Sequence, residues 1–168
     1  VSAVELGAPF YMAAAAGGIT AILDMPNNNP PTANLQRLEE KRQLAKKSVV
    51  NYGFHFGSTN DNIADIGKAK DVASVKVYMD VTTGNLKLDE LKVLKNIFSS
   101  NKTIAVHAEN ENILKAIELI QHSRNHLYIC HVSSKEELHY AKGSRIKNKV
   151  FAETCPHYLF LTAKDINN

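Results

Sequence analysis

The sequence has no tryptophan, only two cysteines and no long apolar run. Each absence excludes something. Cys130 and Cys155 form no CxxC pair and fit no secreted disulfide framework, so both are read as reduced thiols of an intracellular protein. The apolar stretch from Met12 to Ile22 is broken by Gly17-Gly18 and falls short of the roughly 18 residues a membrane span needs, and no signal peptide is evident. No GxGxxG or Walker loop opens a helix, which argues against a doubly wound nucleotide-binding sheet. The net charge of +3 comes from lysines spread over helical faces, as in Lys41-Arg42 and Lys46-Lys47, with no concentrated basic stripe. The expectation is a cytoplasmic protein with neither a membrane nor a nucleic acid as partner.

What is present is a regular alternation. With 44% hydrophobic residues over 168 positions, the chain can bury one real core and is read as a single domain, 1–168. An alanine-rich helix from Leu6 to Ala16 is stopped by Gly17-Gly18, as by a left-handed C-cap. A buried strand over Ile19 to Leu23 runs into Asp24-Met25-Pro26-Asn27-Asn28-Asn29-Pro30-Pro31-Thr32, where prolines and asparagines dictate a shaped loop. Ala33 to Ser48 is a charged helix with Leu35, Leu38 and Leu44 on one side.

Strands then follow over Val49 to Phe56, Ser74 to Tyr78, Thr103 to Val106, Leu127 to Cys130 and Val150 to Thr154. Helices over Asp61 to Lys70, Leu88 to Ser100, Glu111 to Ser123 and Ser134 to Lys142 separate them, the last opened by a Ser134/Glu137 capping box. Cys155-Pro156-His157 reads as a turn. Strands spaced by roughly 22 to 30 residues, each followed by a helix or loop, describe successive βα units of a parallel sheet. A complete βα barrel needs about 250 residues, so the fold class expected is a partial TIM-type barrel.

Two of these strands end on histidine, in Val106-His107-Ala108-Glu109 and Cys130-His131-Val132-Ser133. The carboxyl ends of barrel strands share one rim, so the two imidazoles can converge on a metal ion; the alternative is a histidine bonded to local backbone. Lys76, inside the apolar run Val75-Lys76-Val77-Tyr78, is also read two ways. It is a strand-edge lysine snorkelling to solvent, or an amine carbamylated to an anion that bridges metal ions. His55, among Tyr52, Phe54 and Phe56, is read as locally satisfied, and His157 as capping a loop or meeting the site. Asp24 is assigned to fixing its loop through backbone amides.

Taken together and in order, Gly17-Gly18-Ile19-Thr20, Asp24-Met25-Pro26-Asn27 through Pro30-Pro31-Thr32, Lys76, Val106-His107-Ala108-Glu109, His131-Val132-Ser133 and Pro156-His157-Tyr158-Leu159 resemble the dihydroorotases. These are class I members of the amidohydrolase superfamily. The resemblance implies a cytosolic zinc enzyme, with one or two ions, that interconverts dihydroorotate and N-carbamoyl-aspartate in pyrimidine synthesis. It implies Lys76, as a carbamate, together with His107 and His131 as metal ligands, and Asn27 as a substrate-binding residue.

Cys130 and Glu153 resemble positions that join a third zinc in animal members of the family. Adjacent strand residues point to opposite faces, so Cys130 can share a site with His131 only if the strand ends or bends there. A small buried hydrophobe is the alternative for Cys130, and a hydrogen bond to a ligand for Glu153.

The chain departs from the family in having no HxH pair and no counterpart of the proton-shuttling aspartate. The strands present are accordingly read as the second to seventh of the barrel, with the first and last absent, and the stretch alone is expected to be inactive. Alternatives are an allantoinase or hydantoinase, and a non-catalytic homologue that assembles with a carbamoyltransferase. Besides the small-molecule substrate, the partners in view are a second copy of the chain or that carbamoyltransferase.

Overall fold

In a computed structural model, which describes residues 8–82, 85–144, 146, 148–162 and 164–165, the alternation becomes one six-stranded sheet. The first helix, α1 (Ala8–Ala16), ends in a Schellman turn: Ile19 N donates to Ala14 O, Gly18 N to Ala15 O, and Gly18 has φ of +79°. Leu6, where this helix was expected to begin, lies outside the described residues. The strands are β1 (Ala21–Asp24), β2 (Asn51–Gly57), β3 (Ser74–Tyr78), β4 (Ile104–His107), β5 (Leu127–Ile129) and β6 (Val150–Ala152). Each pairs with its successor, and all five pairings are parallel. Strand order equal to chain order is what consecutive βα units of a barrel produce, whereas a doubly wound sheet reverses direction part-way.

Between the strands run α2 (Leu35–Ala45), α3 (Ile63–Lys68), α4 (Leu91–Phe98), α5 (Glu111–Gln121) and α6 (Lys135–Gly143), followed by the short α7 (Pro156–Phe160). Their apolar sides meet one face of the sheet. Phe54, Phe56, Val75, Val77, Ile104, Val106, Leu127 and Ile129 pack there with Leu38, Ile66, Leu94, Ile97, Ile113 and Ile120, and this is the core. Alternation sends the intervening side chains to the other face. By register that face carries His55 and Gly57, Ser74, Lys76 and Tyr78, Ala105 and His107, then Tyr128. One face is therefore hydrocarbon, and the face that lines the inside of a barrel is polar.

Several expectations require correction. The strand predicted as buried from Ile19 to Leu23 is an edge strand, with Ile19 50% and Leu23 58% exposed, because no strand covers its outer side among the described residues. On α2, Leu44 is exposed and the buried side is Leu38, Lys41 and Ala45. Leu44 lies six residues beyond Leu38, and at about 100° per residue this places it roughly 120° around the helix from it. The 155–157 turn is the start of α7, with Pro156 in its first turn.

Candidate metal and substrate site

Strand β3 brings Lys76 to the polar face, 1% exposed, in register with Ala105 of β4. It does not snorkel. Its nitrogen lies 4.7 Å from the centre of the Tyr78 ring and bonds no nitrogen or oxygen among the described residues, the Cys130 thiol being beside it. Burial pulls the amine well below the usual lysine range, opposed mainly by the Cys130 thiol and then by Glu153. Carbon dioxide reacts with the neutral form of an amine, and burial shifts this lysine toward that form.

Next to it, β4 ends on His107 and the chain beyond β5 delivers His131. His107 Nδ1 and His131 Nε2 are 3.0 Å apart, with the rings edge to face at 4.8 Å between centres. His131 reaches the site because it adopts φ of +42°, a left-handed conformation that costs a non-glycine residue about 1 kcal/mol or more. This bend reconciles neighbours that a regular strand would send to opposite faces. Cys130, bonded through its N–H to Val106 O, is buried, and His131 turns back to meet His107. Burial, Lys76 and His107 together hold the His131 imidazole below the ordinary histidine range, hence neutral near pH 7.

The turn carrying His131 is fastened by Glu137. Its Oε2 accepts from Ser133 N at 2.9 Å and from Ser134 N at 3.2 Å, while Ser134 Oγ accepts from Glu137 N, completing the capping box read from the sequence. Glu153 is exposed, with its Oε2 accepting from Tyr128 Oη at 2.8 Å, and its charge is felt by His131 and Lys76. That bond, added to burial, raises the Tyr128 phenol.

His55 is satisfied locally, its Nδ1 2.7 Å from Ser74 Oγ. Burial, with Lys76 and Lys41 nearby, pushes it down to about 4. His157 is exposed on α7, stacked edge to face with Tyr158.

Asn27 sits half-buried in the loop after β1, at the carboxyl end of the sheet. The loop is fixed in part by an ion pair. Asp24 Oδ2 pairs with Lys41 Nζ at 3.1 Å, both side chains being 5% exposed. Gly57 closes the loop from the β2 side by donating its N–H to Thr32 O at 2.9 Å. A Cβ on Gly57 would stand 3.2 Å from Pro26 Cβ and 3.3 Å from Thr32 O, so a side chain there would push the loop.

The donor set suits a divalent metal. His107 Nε2 and Lys76 Nζ are both buried without a hydrogen-bond partner among the described residues, the Glu109 carboxylate standing 3.9 Å from the former. Buried nitrogens without such a partner are what coordination can satisfy. Among the described residues, no three or more His, Cys, Asp and Glu gather into a metal cluster.

Residues missed in the sequence include Tyr78, whose hydroxyl is buried beside the site and whose pKa burial raises. The alternation that placed Lys76 inward also places Tyr78 there, and that signal could have found it. Asp80 was missed as well: it accepts from Glu109 N at 2.7 Å and Asn112 Nδ2 at 2.8 Å, tying the loop after His107 to the end of β3.

No family model matches the chain. It is 30% identical to the dihydroorotase of Methanosphaera stadtmanae, over 89% of this chain and 42% of that protein. It is 29% identical to the multifunctional protein CAD of Squalus acanthias, over 93% of this chain and 7% of that one. The L-hydantoinase (dihydropyrimidinase) of Arthrobacter aurescens superposes with a TM-score of 0.81 at 25% identity, over 92% of this chain and 44% of that one. The chain thus spans less than half the length of the curated relatives it matches. It is a homologue of the dihydroorotases, folded as part of an amidohydrolase-type βα barrel.

Proposed function

We propose that the whole protein is a zinc-dependent dihydroorotase, opening the ring amide of dihydroorotate to N-carbamoyl-aspartate and closing it again. The observation that carries this reading is the meeting of His107 and His131, 3.0 Å apart, beside the buried and unpartnered Lys76 at the carboxyl ends of adjacent parallel strands. The chain serves as strands two to seven of a single barrel domain. The remaining metal ligands and the proton-shuttling aspartate come from the part of the barrel that the longer relatives have and this stretch does not.

In this reading His107, His131 and Lys76 as its carbamate hold one or two zinc ions. Bound there, zinc would supply Lewis acidity toward the ring carbonyl and the attacking water. The chain's own residues do the rest. The imidazoles present ring nitrogens, the Glu137 anchor holds the His131 turn, and Tyr78 stands on the lysine side of the site. Asn27 offers one donor and one acceptor, matching the N–H and C=O of a ring amide. Glu153 or Cys130 would contribute beside the pair, as a hydrogen bond to ligand or as donors to a third ion.

The free, unpaired state of Cys130 and Cys155 supports a cytoplasmic setting. The likeness to a stretch of a multifunctional protein supports a carbamoyltransferase as assembly partner. The likeness to L-hydantoinase favours a second reading, a cyclic amidohydrolase of that kind. Turnover of dihydroorotate, allantoin and hydantoin by the full-length protein decides between them. Dihydroorotate is the expected substrate; activity confined to the other two would overturn the proposal. Tight binding to a carbamoyltransferase without zinc or turnover would make the protein a non-catalytic partner.

A further inference from the structure

Lys41 projects from the middle of α2 and is 4% exposed. Its Nζ donates to Met25 O at 2.6 Å and Asn28 Oδ1 at 2.9 Å, lies 3.1 Å from Asp24 Oδ2, and sits 5.9 Å from the centre of the Phe54 ring. The two hydrogen bonds and the ion pair reach the end of β1 and the loop after it, on both sides of Asn27. Asn28 Oδ1 also accepts from Thr32 Oγ1 at 2.7 Å, and Thr32 N donates to Pro26 O at 2.9 Å, so the lysine anchors a closed ring of bonds.

Stability alone does not explain this arrangement. A buried ion pair is on average no better than the apolar side chains that could replace it, and here it occupies the hydrocarbon face of the sheet. What the lysine does provide is conformation: Pro26 is buried just before Asn27, and Lys41 ties Asn28, just after it, back to Met25.

We infer that Lys41 is a positioning residue: it sets the backbone from Asp24 to Asn28 so that the Asn27 amide is presented at the rim of the sheet in one orientation. The inference deepens the dihydroorotase reading and rests on it for the identity of what Asn27 meets. Lys41 touches no substrate and acts through Asn27.

The test is a double-mutant cycle in the full-length protein with dihydroorotate as substrate. Lys41→Met raises KM roughly tenfold and changes kcat less than about twofold, since a misplaced binding group weakens ground and transition states alike. Lys41→Arg keeps the charge but spreads its donors over a planar fork, and raises KM less. Either substitution made in Asn27→Ala adds nothing further, because the residue it positions is gone. Effects that multiply in full, or a fall in kcat with KM unchanged, overturn the inference. Should Lys41→Met fail to fold, the Lys41→Arg cycle carries the same test.

If the wild-type protein leaves dihydroorotate untouched, the substrate reading fails, and amide exchange still judges the staple. Faster exchange at Thr32 and Gly57 in Lys41→Arg, with Met79 unchanged, supports it. Unchanged Thr32 and Gly57 sink it.

Discussion

His107 and His131 face each other with ring nitrogens 3.0 Å apart, one from the last residue of β4, the other from a left-handed residue just beyond β5. Two imidazoles this close cannot both be protonated without strong repulsion, and they hold lone pairs where a cation can use them. His126, by contrast, precedes β5 at the opposite end of the sheet and packs its ring against Phe151 at 5.8 Å. In the full-length protein His107→Ala and His131→Ala should each lower bound zinc and turnover by about tenfold or more, and His126→Ala by less than about twofold. Metal analysis by mass spectrometry checks this, and equal losses at all three positions would remove the ligand assignment.

Lys76 is a buried amine without a hydrogen-bond partner among the described residues, a group kept at the expense of stability. Lys76→Met in metal-free protein should therefore raise unfolding stability by about 1 to 3 kcal/mol while abolishing activity in the zinc-loaded enzyme. Urea titration beside a turnover assay reads both. A marked loss of stability would mean that the amine has a partner in the metal-free state.

His55 links stability to pH. Its pKa is pushed from 6.5 down to about 4 on folding, so between those values the unfolded chain binds the proton and the folded chain does not. Stability is full above about pH 6.5 and declines as pH falls toward 4, by up to about 3 kcal/mol in all. His55→Asn should flatten this part of the stability profile. A profile of unchanged slope between pH 4 and 6.5 would show that other groups set it.

Glu137, 5% exposed, holds the 131–134 turn through Ser133 N, Ser134 N and Ser133 Oγ. Removing its carboxylate orphans these donors, so Glu137→Ala should cost about 1 to 3 kcal/mol and weaken zinc retention through His131, although it touches no metal. Glu137→Gln, which keeps an acceptor, should lose less than half as much. Retention of zinc at wild-type affinity in Glu137→Ala would show that the turn holds His131 without this anchor.

Substitution at Gly57 should act on the loop from a third direction. A methyl group there meets Pro26 and the Thr32 carbonyl at 3.2 and 3.3 Å, so Gly57→Ala should destabilise by about 1 to 3 kcal/mol and raise KM more than it lowers kcat. Thermal unfolding and steady-state kinetics on the same sample separate the two effects.

Local pattern was enough to determine the six strands, the helices between them, the Gly18 stop of α1 and the Ser134/Glu137 capping box. All depend on side chains within a few positions of one another, where periodicity and capping chemistry act directly. The motif residues His107, His131, Lys76 and Asn27 could likewise be singled out from their neighbours in sequence.

Only the tertiary structure decided what those residues meet. A leucine count put Leu44 on the packed side of α2, but packing chose Lys41, because its ammonium reaches acceptors on the folded loop that precedes the helix, 13 and 16 residues back and so outside helical spacing. Asp24 pairs with that same lysine, a partner its neighbours in sequence do not announce. Long-range partners help set the bend at His131 as well. Val132 N donates to Glu153 O and Thr154 Oγ1 to Val132 O, so the segment just beyond β6 joins the local Glu137 anchor in setting this backbone. Hydrogen bonds between elements are invisible to local pattern because each donor is indifferent to which acceptor satisfies it until the fold brings one within reach.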